Sequence, residues 1–368
     1  MSGTGQIVRQ PRPRVILNGT TLQGACCAEV TLTNSNHASS FRCEIALGGD
    51  PSLTASWWAD QSDIQCEIDY SLDGGQSWPF VFVGVVDHLH LDMPHGVIEI
   101  EGRDLSSTMI ETKIHETFAN KKSSEIATII AGRHGLTAQV TPTSTITGRY
   151  YQLEHDKLTT GSFHKQTTEW DLLTFLAQQE GYAPPFVIGR TLYFQPEDTG
   201  GAQPMQIVYQ PRGSAAYPVL NTASDMRLER SLTLAKDIQV TAVTWNSKKK
   251  QPHTTIGKAQ GARSPNSQKN PTQNYVVYAP PNATPEQVDR LVEAKLKELS
   301  RHERIVNFTL PGELTLDQRS KIALSGTGTS FDQEYYIDTV ERRMDTGGGF
   351  MQHVRCKNSS PRSEASVV

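Results

Sequence analysis

The chain has 368 residues with a formal net charge of −4, and 36% of its residues are hydrophobic and 20% charged. That composition fits a globular, rather polar protein of two to four domains, and its acidic balance argues against a general nucleic-acid binder, which would be basic. No apolar run reaches the roughly 20 residues of a membrane-spanning helix, and the longest, 80–86, is strand-sized.

The start, "MSGTGQIVRQ", lacks the charged and apolar regions of a signal peptide, so folding in a cytoplasm is expected. The first hundred residues read as β. In "IQCEIDY" the residues Ile64, Cys66, Ile68 and Tyr70 fall on one face, the period of a half-buried strand. Turns at "SLDGGQSW" and "DMPHG" separate this strand from "PFVFVGVVDHLHL" and "VIEIEG", a spacing that predicts a small antiparallel sandwich or barrel. After Asp104 the period changes. "SSEIATIIAGRHG" predicts a helix with Ile126, Ile129 and Ile130 inward, Ser123 as N-cap and Gly135 as the stop. "TTEWDLLTFLAQQEG" repeats the plan, with Thr168 and Asp171 spaced as a capping pair, Leu172, Leu173 and Leu176 inward and Gly181 at the end. "FVIGRTLYFQP" reads as a hairpin.

Strands return at "DIQVTAVTW". Residues 247–274 then carry Lys248, Lys249, Lys250, Lys258, Arg263 and Lys269, no acidic residue, and many Gln, Ser, Pro and Gly. Such a stretch buries little apolar surface, which predicts a mobile, solvated surface loop, with nucleic acid or an acidic protein surface as the candidate contact. "TPEQVDRLVEAKLKELS" is a helix with Thr284 as cap, Pro285 first and Gln287 closing a capping box. Val288, Leu291, Val292 and Leu299 form its apolar stripe. The end is β again, followed by a polar tail. "VVDHLHLDMPHGVIEIEG" and "TVERRMDTGGGFMQHVRC" echo one another as strand, acidic residue, Gly-ended turn, strand. The expected organisation is therefore mixed α/β and β-rich. A first β domain spans 1–104, an α/β part 105–200, and a second β domain 201–358 with the loop 247–274 and the helix 284–300 inserted. The flexible tail is 359–368.

The motifs favour structure over chemistry. Ser71, Asp73, Gly75, Ser77 and Trp78 fit the Asp-box pattern S-x-D-x-G-x-S-W, in which the carboxylate staples a hairpin. Asp198-Thr199-Gly200 and Asp345-Thr346-Gly347 both spell the aspartic-protease triplet, whose paired carboxylates share a proton. Here both sit in turn contexts, "PEDTGG" and "RMDTGG", and follow no apolar strand. His88, His90 and Asp92 share one strand face with His95 nearby, a spacing a metal can use and a solvated strand face more often shows. The five cysteines (Cys26, Cys27, Cys43, Cys66, Cys356) are odd in number with no C-x-x-C pair, so buried thiols are expected and not disulfides or zinc. No nucleophile elbow, Walker loop, H-E-x-x-H or Rossmann fingerprint occurs, and no cofactor is expected.

The order of parts resembles the baseplate hub proteins of contractile-tailed bacteriophages, the late control D-like family. The carriers are "GVVDHLHL…VIEIEGRDLSSTMIE", "SSEIATIIAGRHGL", "TEWDLLTFLAQQEGY…VIGRTLYFQP" and "VNFTLPGELTLDQRSKIALSG…YYIDTVERRM". The hub region that opens type VI secretion spike proteins is similar, and neither their β-helical spike nor a lysozyme domain is expected within these 368 residues. The resemblance implies two tail-tube-like β-barrels around the α/β part. Three chains would form a ring that adapts a sixfold tube to a threefold spike, in the tail baseplate of a virion assembled in the host cytoplasm. It implies as partners the spike, tube and baseplate wedge proteins and the tape measure protein. DNA would pass without specific binding, and neither enzymatic activity nor membrane insertion would be present. Within that scheme Gly102, Arg103 and Asp104 are the corner between the first barrel and the α/β part. Asp104 is placed to cap a helix starting near Leu105, and Arg103 to pair with a neighbouring carboxylate. A trimeric host-binding adhesin is the alternative reading and would need an exposed aromatic surface. A hydrolase resting on the two triplets ranks third.

Overall fold

The computed structural model describes residues 9–34, 37–114, 120–144, 168–196, 203–209, 225–232, 238–259, 272–279, 282–300, 303–347 and 349–358, with short pieces at 116, 118, 146, 149–150, 157–158 and 366–367. The first β part holds β1 (Arg12–Leu17), β2 (Thr20–Thr21), β3 (Ala25–Thr33), β4 (Ser40–Ala46), a short helix α1 (Ala55–Ala59), β5 (Gln65–Ser71), β6 (Phe80–Asp92) and β7 (Val97–Asp104). The middle holds α2 (Ser107–Glu111), α3 (Ser123–Arg133), β8 (Thr137–Val140), β9 (Arg149–Tyr150), β10 (Lys157–Leu158), α4 (Glu169–Glu180), β11 (Phe186–Ile188) and β12 (Thr191–Phe194). The last part holds β13 (Met205–Val208), β14 (Arg227–Arg230), β15 (Ile238–Asn246), β16 (Gln251–Ala259), β17 (Gln273–Tyr278), α5 (Pro285–Ser300), β18 (Arg304–Pro311), β19 (Lys321–Ser325), β20 (Glu334–Asp345), β21 (Gly349–Asn358) and β22 (Ser366–Val367).

The two ends of the chain share one sheet. Thirteen strands follow the order β14-β18-β21-β20-β3-β4-β7-β6-β5-β1-β2, with β13 and β19 joining through β20. The seam is the antiparallel pair β20–β3, in register from Thr339 opposite Thr33 to Asp345 opposite Cys27. Nothing in the sequence reading anticipates this seam. The two echoing segments are both hairpins of this sheet, β6–β7 and β20–β21, and each carries a bulge in its first strand, at Val86/His88 and at Ile337/Thr339.

One apolar core lies under the seam and draws on both ends of the chain: Val30, Phe41, Ile68 and Ile100 from the first part, Phe308, Tyr335, Val340 and Val354 from the last. Burying each such side chain stabilises by about 1.5–3 kcal/mol. A second core belongs to the middle part. Ile126 and Ile130 of α3 pack with Leu172, Leu173 and Leu176 of α4 and with Leu192 and Phe194 of β12, while Val83 and Leu105 tie this core to the large sheet. A third core sits under the small sheet β17-β15-β16-β22, where Val240 and Ala242 meet Val288, Val292 and Leu296 of α5.

The capping pairs form. Thr168 Oγ1 accepts from the Asp171 amide at 3.1 Å, and Asp171 Oδ2 accepts from the Thr168 amide at 3.2 Å. Gly181 ends α4 at φ 69°, a left-handed conformation that glycine adopts without strain. Gln287 and Thr284 close the equivalent box on α5, with the Thr284 amide donating to Gln287 Oε1 at 2.9 Å. Two expectations need correction. Ser123 is the first helical residue of α3 and not its cap: its hydroxyl donates to Glu180 Oε1 of α4 at 2.7 Å, and the Lys122 amide is held by Glu125. The stretch 247–274 is not one loop either. Residues 247–250 turn a hairpin and 251–259 form β16, paired with β15 along its whole length, while β17 begins at Gln273. Composition measures what a segment can bury, and this strand is held by backbone hydrogen bonds to a buried neighbour instead. Residues 260–271 lie outside the described residues.

Candidate interaction surface

Successive strand side chains point to opposite faces, and the large sheet uses this rule uniformly along its centre. On the core side stand Ala28, Val30 and Leu32 of β3, Phe41, Cys43 and Ile45 of β4, and Ile98 and Ile100 of β7. The other face is polar. Its residues line up across six strands as Met351–Arg343–Glu29–Arg42–Glu101–His88, each opposite the next. A parallel row runs Asp345–Cys27–Glu44–Glu99–His90, and another His353–Glu341–Thr31–Ser40–Arg103.

The charges are interleaved. Arg42 Nη2 lies 2.8 Å from Glu99 Oε2, with Glu101 3.8 Å from its Nε. Arg343 bridges Glu29 at 3.6 Å and Asp345 at 3.4 Å. At the far end Lys357 and Arg355 both meet Asp338, at 2.7 and 3.4 Å. Exposed pairs of this kind contribute at most about 1 kcal/mol each, so their weight is in the character of the surface. Near the seam seven carboxylates (Glu29, Glu44, Asp87, Glu99, Glu101, Glu341, Asp345) share the face with three guanidiniums (Arg42, Arg103, Arg343), and the balance is acidic. Partial burial, reinforced by Glu341, holds the Glu29 carboxyl above its ordinary range. The Cys27 thiol, almost covered among these charges, is pushed up to about 11 by burial. A concavity of about 460 Å³ opens on this face beside Arg42, Asp87, His88, Glu101 and Arg103.

The joint borders the concavity. Arg103 donates to Asp87 through both Nε and Nη2, at 2.6 and 2.9 Å, and to Glu111 at 2.5 Å. Gly102 is required by a close approach: a Cβ there would stand 2.0 Å from the Val85 carbonyl oxygen and 2.6 Å from the Phe41 ring. Asp104 does not cap α2, whose N-cap is Ser106. Its carboxylate is buried and accepts from the Ser39 amide and the Ser106 amide, both at 2.9 Å, and from the Ser106 hydroxyl. Burial raises its pKa against the pull of these bonds. The residue ties the end of β7 to the entry of β4, and the Ser106 hydroxyl, turned to Asp104, makes no capping bond to α2.

Asp73 accepts from the Gln76 and Ser77 amides at 3.0 Å, from the Ser77 hydroxyl at 2.5 Å and from the Ser71 hydroxyl at 2.7 Å, while Ser71 accepts from the Gly75 amide. The hydroxyl and amide donors around Asp73 hold its carboxyl well below the usual carboxylate range. Trp78 closes the turn under the Arg14 guanidinium, 4.6 Å from the ring centre. Asp345 makes a local turn, accepting from the Gly347 amide at 2.9 Å, and the 198–200 triplet lies outside the described residues. His95 pairs with Asp92, and no group of three or more metal-ligating side chains occurs among the described residues. Lys248, Lys249 and Lys250 sit in the exposed β15–β16 turn and Lys258 is exposed on β16, while Arg263 and Lys269 fall outside the described residues. All five cysteines are free, and Cys26 alone is not buried. No helix among the described residues is long and apolar enough to cross a membrane.

This architecture is that of known tail proteins. A tail protein from Neisseria meningitidis MC58 matches with a TM-score of 0.68 at 13% identity, over 96% of this chain and 98% of that one. The 43 kDa tail protein of prophage MuSo2 from Shewanella oneidensis matches at 0.60 and 15% identity, over 96% and 98%. The prophage tail protein gp18 from Listeria monocytogenes EGD-e matches at 0.56 and 13%, over 95% of each chain. At these identities the shared property is the fold. The chain belongs to the family described as the Alg8 N-terminal domain, whose model matches residues 64–346. Comparison with curated proteins gives no match.

Proposed function

We propose that the chain is a structural, non-enzymatic hub of a contractile tail baseplate. Three copies surround one axis, and each contributes two tube-like β units, 1–104 and 201–358, joined by the α/β part 105–200. The spike, the tube, the wedge proteins and the tape measure protein are its neighbours. One observation carries the reading: the β units at opposite ends of the chain share a continuous sheet whose open face is a charged lattice with an acidic excess. A wall of that kind suits a channel for a polyanion. Clustered lysines and arginines would retain DNA by releasing its counterions, whereas paired charges with a negative remainder do not. The tail fold of the whole chain supports the same reading.

The adhesin reading has one observation in its favour. Trp245, Val276 and Tyr278 stand 50%, 58% and 80% exposed on the open side of the small sheet. A carbohydrate site would be expected to enclose its ligand with polar groups beside the aromatic rings, and of these three residues none carries a charge.

The test is co-expression with the adjacent spike protein, followed by light scattering and electron microscopy. Three chains of 40.7 kDa give about 122 kDa for the hub ring. A ring with a central hole, placed on the tail axis, is the expected result. A monomer or dimer both with and without the spike, or a trimer at the tail periphery, would overturn the proposal, and the peripheral trimer would favour the adhesin.

A further inference from the structure

A second cavity, of about 180 Å³, lies on the opposite side of the large sheet from the charged face, where the three parts of the chain meet. Leu32 and Phe82 come from the first part, Val187 from the middle, and Leu314, Gln318 and Arg342 from the last. Arg342 is 4% exposed and points to the core side of β20. Its guanidinium makes a single hydrogen bond, Nη2 to the Leu316 carbonyl, its Nε has no partner, and no carboxylate pairs with it among the described residues. Gln318 is 2% exposed and its side-chain amide makes no hydrogen bond among the described residues. Gln352, directly opposite Arg342 on β21, leaves both its amide atoms unsatisfied.

Buried polar groups are almost always partnered, and a lone buried guanidinium is costlier than most. Two such side chains, Arg342 and Gln318, line one cavity, and no described residue supplies the partner they lack. Two acidic residues line the cavity, and neither forms an ion pair with Arg342. Asp104 is occupied by Ser39 and Ser106, and Asp317 accepts through Oδ1 from the Arg319 amide at 2.8 Å and the Ser320 hydroxyl at 3.0 Å; its charge favours the Arg342 cation from a distance without forming an ion pair with it. The volume is well below the roughly 300–1,000 Å³ of cofactor-sized pockets, so the missing group has about the size of a side chain.

We propose that this cavity binds a carboxylate. The carboxylate pairs with the Arg342 guanidinium and accepts from the Gln318 amide, while a short aliphatic stem lies against Leu32, Phe82, Val187 and Leu314. A guanidinium with free N–H groups is the side chain best matched to a carboxylate, and the pairing is strongest where water is excluded. Two sources carry this chemistry: a free short-chain acid, or an aspartate or glutamate side chain of a neighbouring chain. The inference does not depend on the hub reading.

The experiment uses the full chain and three probes: propionate, propionamide as its neutral control, and the capped peptide acetyl-Gly-Glu-Gly-amide. Thermal unfolding and calorimetric titration are the readouts. Propionate, the peptide or both are expected to bind and raise the unfolding midpoint, and propionamide is not. Arg342→Met should weaken binding by more than tenfold and Gln318→Leu by several-fold. Binding of the peptide alone assigns the site to a partner's side chain, and binding of propionate to a free acid. Should Arg342→Met fail to fold, nitrogen-15 spectra of the wild-type arginine side chains replace it, and the Arg342 Nε–H resonance must move on addition of the binding probe. No binding by either acid, equal binding of propionamide, or undiminished binding in Arg342→Met would overturn the proposal, as would an unmoved Arg342 resonance.

Discussion

Asp104→Ala tests whether the joint is a structural tie. The carboxylate holds two backbone N–H groups, of Ser39 and Ser106, and is itself only 6% exposed. Removing it strands both donors, at about 1–3 kcal/mol each. Part of that cost is returned, because an ionised group no longer has to be buried, and the net destabilisation should be about 2–4 kcal/mol. Asp104→Asn separates the two contributions. Its carbonyl can still accept from Ser106, but its amide then faces the Ser39 N–H, donor against donor. The pH dependence has a definite sign. Burial raises the folded pKa, so the folded chain holds the proton more tightly than the unfolded one. The destabilising share of this group is therefore absent below the unfolded value near 3.9, grows as the pH rises through the folded value, and is constant above it. Asp104→Asn should remove that slope. Urea unfolding followed by the fluorescence of Trp57, Trp58 and Trp78, all in the first β part, reads both quantities. A change below about 0.5 kcal/mol for Asp104→Ala, or lost infectivity at unchanged stability, would refute the tie and make the joint a functional site.

Gly102→Ala should destabilise by more than about 3 kcal/mol, because its Cβ meets the Val85 carbonyl, which cannot yield without breaking the β6–β7 ladder; urea midpoints near wild type would show that the strand relaxes. Asp73→Ala should speed hydrogen exchange at the Gln76 and Ser77 amides. Since the folded pKa of Asp73 is depressed, its stabilisation is full above the ordinary aspartate value and lost as the pH falls through the folded one, so a hairpin insensitive to acid would contradict the staple. Alkylation at pH 8 should label Cys26 and spare Cys27, whose thiol at about 11 is roughly one part in a thousand ionised; mass spectrometry showing equal labelling would mean that the charged face opens.

What could be read in advance was local. The Thr168–Asp171 and Thr284–Gln287 pairs announce their helices because a cap and its partner are three residues apart. The apolar faces of α3 and α4 follow from one period. Ser123 failed as a cap because its hydroxyl is taken by Glu180, which lies 57 residues away in sequence. The β16 strand was hidden for the same reason: its composition is that of a loop, and what orders it is the ladder to β15. The charged surface was the least legible feature. Glu99, Glu101 and Arg103, or Glu341, Arg343 and Asp345, show alternation within a strand, but nothing in either run states that β3 and β4 lie between them. Arg342 and Gln318 carry no signal at all in the sequence, since an unpartnered buried group is visible only once its surroundings are known.

The seam changes how the parts of the chain act together. A division at 104 and 201 follows the order of the elements, yet the core beneath the seam takes residues from both sides of that division. Pulling the two β units apart would break the β20–β3 ladder and open that core, whereas the small sheet keeps a core of its own with α5. Motion is therefore cheapest at the small sheet with α5, whose core takes no residue from the large sheet, and dearest along the charged face. A hub needs that distribution: a wall that keeps its shape while material passes, and peripheral units free to adjust to neighbours of different symmetry. Hydrogen exchange on the free protein would bear on this directly. Amides of β3 and β20 should be the slowest of the chain and those of β16 and β17 among the fastest strand amides. Equal protection across both sheets would remove the mechanical argument for the hub.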